Sequence, residues 1–300
     1  MFGYLDLLNE VEGLKRLGVE VGSIGKSTLG QQIPYVMVGQ RGAPCMIVQA
    51  AIHAREHLTA LLALCQAKHL VATRPNMLGA IYFVPMANPD GVRICQEGVQ
   101  WIADKDIHHF LVQTNGQSND FSLWKANANG VDLNVNFDAN WGTGEQNVYY
   151  KAPQSYVGPS PCSEAETKAL VDFTLAVKPL VTISYHCKGE VVYWYFGQTR
   201  HRKWRDERYA KAIAKHTGYT LVEGDDGSAG GYKDWCIQRL RIPSYTIEVG
   251  SDNLPHPLPY SHFEPILQAN LDLPRRLLNS VVRDHNKLSA GGLLGAMDLD

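Results

Sequence analysis

Short apolar, β-branched runs, several of them apolar at nearly every position, separated by longer segments of helical pattern, limit most strongly what this chain can fold into. The runs are 33–38 (IPYVMV), 45–51 (CMIVQAA), 80–86 (AIYFVPM), 179–184 (PLVTIS), 191–196 (VVYWYF), 219–223 (YTLVE) and 243–248 (PSYTIE). A strand with one wet face alternates apolar and polar residues. One that is apolar throughout must be covered on both faces. Helical patterns occupy 57–72, 163–177, 206–217, 231–240 and 262–284. Strands interleaved with helices predict an α/β fold around a mixed or largely parallel sheet. Ser163 with Glu166 three residues on reads as a capping box, Gly218 as a helix stop, and Pro274 as a kink or division. The stretch 99–160, rich in Asn, Gly, Asp and Trp, reads as long loops over a functional face. No repeat or linker divides the chain, and its end reads as a loose tail.

Charge removes one class of function. Lys and Arg number 28 and Asp and Glu 30, a formal net charge of −2, whereas a nucleic-acid binder carries a basic surplus. No apolar run approaches the roughly 18 residues of a membrane span. The start, MFGYLDLLNEVEGLKR, has none of the features of a signal peptide. The six cysteines have no CxxC spacing and several lie in apolar runs, so they read as reduced core thiols. Together these features predict a cytoplasmic protein. Residues 25–28 (GKST) match the end of a phosphate-binding loop, but position 20 is Glu where that motif needs Gly. They read as a turn.

Chemistry concentrates in AAIHAREHLTALLAL. An apolar strand ends at Ile52, and His53 and Glu56 follow, three positions apart at the entry to a helix. Such positions share a face, so imidazole and carboxylate can converge on one ion. Two His and one Glu with an open position form a hydrolytic zinc set. A capping or surface His–Glu pair has the same spacing. His186 ends the run PLVTISYH, which places it at the carboxyl edge of the sheet, where open α/β folds put their sites. A hydrogen-bonded core histidine is the alternative there. Glu248 ends SYTIE, and a carboxylate is costly to bury unless paired or used. His53, Glu56 and His186 could hold zinc, with Glu248 acting on water.

Six motifs in one order carry a resemblance: IHAREH, NPDGV (88–92), WKANANGVDLNVNF (124–137), the strand ending at His186, GGYKDW (230–235) and TIEVG. The chain resembles the zinc carboxypeptidase family typified by the pancreatic digestive enzymes. The resemblance implies a single-domain mixed eight-stranded sheet with helices on both faces, over residues 1–285, with a tail at 286–300. It implies one zinc ion on His53, Glu56 and His186, and Glu248 as general base. It implies Lys125 at the position that steadies the oxyanion, Arg55 and Asn134 as substrate contacts, and a peptide substrate.

Three departures bear on substrate. The family's Asn-Arg-Asn, whose Arg grips a free terminal carboxylate, is Asn134-Val135-Asn136 here. The Tyr that closes over substrate aligns with Asp226. The residue that sets side-chain preference aligns with Lys233. WKANANGVDLN, SYHCKGEVVYWYFGQ and GGYKDW are similar to the bacterial branch that cleaves γ-D-glutamyl-diaminopimelate bonds in cell-wall peptides. Lys233 or Lys188 would meet the diaminopimelate carboxylate. The rival readings are a carboxypeptidase acting on ordinary peptide ends, which Val135 opposes, and a non-catalytic peptide-binding relative, which the intact ligands and base oppose.

Overall fold

The runs at 45–51, 80–86 and 179–184 give strands buried at every position, while those at 191–196 and 219–223 give short, partly exposed ones. The computed structural model describes residues 1–224 and 227–290. In chain order the elements are α1 (Tyr4–Arg16), β1 (Glu20–Lys26), β2 (Gln32–Val38), β3 (Cys45–Ala50), α2 (Leu58–Thr73), β4 (Ala80–Val84), α3 (Pro89–Glu97), α4 (Lys105–Thr114), α5 (Ala165–Val177), β5 (Val181–His186), β6 (Val191–Tyr193), α6 (Arg200–Thr217), β7 (Thr220–Leu221), α7 (Tyr232–Arg239), β8 (Ser244–Glu248), α8 (Phe263–Asn270) and α9 (Leu273–Ala290). One eight-stranded sheet runs β1-β2-β4-β3-β5-β8-β6-β7. Its centre, β4-β3-β5-β8, is parallel. β1, β2 and β6 join antiparallel, and β7 pairs parallel to β6.

Alternate side chains of β3 serve different layers. Met46, Val48 and Ala50 join a core with α1, α2 and α9. Cys45 and Ile47 meet the opposite layer with Phe173 of α5. Burying a Val, Leu or Ile side chain contributes about 1.5–3 kcal/mol, so this two-faced burial is the main term holding the sheet centre. The expected mixed eight-stranded sheet with helices on both faces is therefore the observed fold. All six cysteines are free thiols, and no helix among the described residues is long and apolar enough to cross a membrane.

Some local expectations change. Helix α5 begins after Glu164, which makes no side-chain cap bond. Glu166 turns away and accepts from the Thr28 N–H and hydroxyl, and its burial pushes its carboxyl up to about 7. The capping box does not form, because a tertiary partner outcompetes the local one. The region read as loops contains α4, whose Asp104 cap accepts from the N–H groups of Asp106 and Ile107. Helix α9 continues to Ala290, past the boundary expected at 285. Residues 291–300 of the expected tail lie outside the described residues, as does Asp226. Gly218 does cap α6 in the left-handed region, and the last helical pattern divides just before Pro274. Residues 25–28 leave an edge strand and enter a turn, not a helix.

Candidate active site

Three neighbouring parallel strands end at one place. His53 follows β3, His186 is the last residue of β5, and Glu248 is the last of β8. His186 and Glu248 are register partners across the sheet. The chain then turns through a 3₁₀ segment, Ala54–Glu56, into α2. NPDGV holds that turn. Buried Asn88 caps α3 by accepting from the Gly91 N–H, and its amide donates to the carbonyls of Ile52 and Ala126, both at 3.1 Å. A Cβ on Gly91 would lie 2.5 Å from the Ala126 oxygen, so only Gly fits. One side chain thus ties the residue before His53 to the residue after Lys125.

His53, Glu56 and His186 are all buried and converge. His53 Nδ1 lies 2.8 Å from Glu56 Oε1 and 3.1 Å from His186 Nδ1, and His186 Nδ1 lies 3.0 Å from Glu56 Oε2. Tetrahedral zinc with bonds of 2.0–2.1 Å spaces its donors by about 3.3 Å, close to this set. The electrostatics agree. Burial pushes the Glu56 carboxyl up, but His53 and His186 outweigh it and hold it well below the usual range. Burial pulls His53 down, and the carboxylates of Glu56 and Asp132 outweigh it and hold its pKa up. The group of donors calls for positive charge at its centre, which a divalent cation would supply.

Asp132 was not singled out from the sequence. It is buried at the start of a 3₁₀ segment, Leu133–Val135. Its Oδ1 lies 3.1 Å from His53 Nε2, and its Oδ2 2.9 Å from Lys125 Nζ. Burial would raise its pKa, but Lys125 and His53 hold it well below the usual range. The carboxylate orients His53 with Nδ1 toward Glu56 and His186, and anchors the Lys125 amine. The signal was available: an acid between Val131 and Leu133 must be paired or used, the same argument that marked Glu248.

A cavity of about 260 Å³ opens beside these residues. His53, Lys125, Asn134, Val135, His186, Lys233 and Glu248 all line it. Val135 is fixed against Gly230, which has φ +83° and where a Cβ would lie 2.7 Å from the Val135 oxygen. Asn134 Oδ1 accepts from the Tyr232 N–H at 3.2 Å. Two expected contacts stand outside the cavity lining. The Arg55 guanidinium donates to the Leu123 carbonyl and Gln154 Oε1. Lys188 Nζ lies 3.2 Å from Asp252 Oδ1 and donates to the Asp252 carbonyl.

Known proteins resemble this chain. A γ-D-glutamyl-L-diamino acid endopeptidase of Lysinibacillus sphaericus is 30% identical over 91% of this chain and 71% of its own length. Murein peptide amidase A of Escherichia coli is 28% identical over 47% of this chain and 57% of its own. Bovine thrombin-activatable fibrinolysis inhibitor has the same fold, with a TM-score of 0.77 over 94% of this chain and 98% of that one, at 21% identity. The sequence profile described as Zinc carboxypeptidase matches residues 4–272. With that match, and with the motifs standing at the ends of three central strands, the chain belongs to the zinc carboxypeptidase family of metallopeptidases.

Proposed function

We propose that this peptidase holds one zinc ion on His53, Glu56 and His186 and hydrolyses an amide bond in bacterial cell-wall peptides, at γ-D-glutamyl-diaminopimelate. The observation that carries the reading is the cavity itself. Its lining joins His53, His186 and Glu248 with Val135 and Lys233, which supply no carboxylate clamp of the Asn-Arg-Asn kind. The name of the Lysinibacillus relative supports a γ-D-glutamyl bond to a diamino acid.

A zinc ion bound there supplies a Lewis acid that acidifies water and polarises a carbonyl. Glu248 takes a proton from the attacking water and returns it to the leaving amine nitrogen. Lys125 faces the developing oxyanion as a point charge, without the fork of an Arg. Asn134, its carbonyl held by Tyr232, turns its amide to the substrate. Val135 cannot grip a terminal carboxylate, so ordinary C-terminal peptides are held weakly.

The test is mass spectrometry of defined muropeptides incubated with the zinc-loaded enzyme, beside a hippuryl-type dipeptide. We expect the γ-D-Glu-diaminopimelate bond to be cut and the hippuryl compound to be a poor substrate. Efficient hippuryl cleavage with intact muropeptides would replace this reading with ordinary carboxypeptidase action.

Asp132 yields a second expectation. Removing the partner of a ligating His costs about 10- to 100-fold in metal affinity or activity. Asp132→Asn should lower zinc affinity, read by competition with a chelator, by that factor. It should also lower kcat, because the Lys125 amine loses its anchor. Unchanged zinc affinity in that variant would separate Asp132 from the metal centre.

A further inference from the structure

Lys233 and Asp234 are consecutive residues at the start of α7, and both line the cavity shared by His53, His186 and Glu248. Their side chains are 6% and 3% exposed, and Lys233 Nζ lies 2.6 Å from Asp234 Oδ1. The amine also donates to the Tyr195 carbonyl at 3.0 Å and sits 5.5 Å from the centre of the Phe196 ring. Asp234 Oδ2 accepts the Gly231 N–H at 3.0 Å.

An ammonium has three donors, and a carboxylate has about four acceptor positions. One Lys233 donor goes to the Tyr195 carbonyl. Asp234 Oδ1 is ion-paired with the amine but accepts no hydrogen bond, so both groups keep hydrogen-bonding positions to spare. The pair therefore presents both signs side by side. A substrate carboxylate alone would meet Asp234 as well as Lys233, and an ammonium alone would meet Lys233. A carbon carrying both charges can set each against its opposite.

We propose that the Lys233–Asp234 pair selects a substrate side chain ending in a zwitterionic amino-acid head, its carboxylate on Lys233 and its ammonium on Asp234. The inference rests on the cavity being the peptidase site, and adds a residue and a chemical requirement to it. Diaminopimelate has such an end. Lysine and side-chain-amidated diaminopimelate keep only the ammonium, and the side-chain N-acetyl form keeps only the carboxylate.

The test uses these four amino acids in two ways with the zinc-loaded protein: as Nα-acetylated derivatives, which have no zwitterionic α-head, in calorimetric binding, and as the residue after the bond in γ-D-Glu peptides. Charge-assisted contacts predict diaminopimelate ahead of each singly charged form by about tenfold to a hundredfold. Lys233→Met should erase discrimination against the amidated form. Asp234→Asn should erase discrimination against the acetylated form, and Asn retains the acceptor that Gly231 uses. The double variant leaves no buried charge unpaired and should bind all four alike, with thermal melts verifying folding. The proposal falls if lysine matches diaminopimelate, or if Asp234→Asn keeps the acetyl discrimination. It also falls if Glu145→Gln, another acid on the cavity wall, erases that discrimination instead. Because binding is read without catalysis, selective binding with uncut peptides would overturn the cell-wall reading and leave the pair's selectivity supported.

Discussion

Glu248→Gln is expected to lose about 10²- to 10⁴-fold in kcat while retaining its zinc, since that is the usual worth of a general base. Gln matches Glu in size and holds the end of β8, but it cannot accept the proton of the attacking water. Glu248 lies opposite His186 in one strand register and opposite Val191 in the other, so the backbone there has little freedom to rearrange. His53, Glu56 and His186 make their mutual contacts without it. Metal content by atomic absorption should therefore match the wild type, with KM moving much less than kcat. Near-normal kcat, with wild-type contamination excluded, would remove Glu248 from the mechanism.

His186→Ala should affect the metal first and activity as a consequence. Structural zinc sites bind with about 10–16 kcal/mol over four ligands, so one ligand is worth roughly 3 kcal/mol, or about a hundredfold in affinity. The change also leaves Glu56 buried beside a single imidazole. Zinc should be lost on dialysis at concentrations the wild type tolerates, and hydrolysis should become undetectable. A folded variant that keeps one zinc per chain and the wild-type rate would show that the ion is held elsewhere.

Elements were legible in the sequence where burial is complete. β3, β5 and β8 are central strands, buried at nearly every position, and their ends mark the site. β1 went unread because EVGSIGK sits at the sheet edge, partly exposed, and has no all-apolar signature. Helix α4 was hidden by its Asn- and Gly-rich surroundings, and of its own residues only Leu111 is buried. Ser163 and Glu166 have the spacing of a capping box, but Thr28, distant in sequence, takes the Glu166 carboxylate.

The same division runs through the site. His53, Glu56, His186 and Glu248 could be named from the sequence because strand ends and a helical turn dictate where they emerge. The partners of the charged residues could not. Asp132 joins Lys125 to His53, Lys188 is drawn to Asp252, and Lys233 is paired by its neighbour Asp234. Backbone periodicity decides which face a residue takes, and that is a local property. Which charges meet depends on how loops from separate parts of the chain pack over the sheet. A buried charge must find its opposite there at whatever distance along the chain. The sequence by itself therefore determined the layered fold and the candidate metal set, and the tertiary structure decided the charge pairing around the cavity.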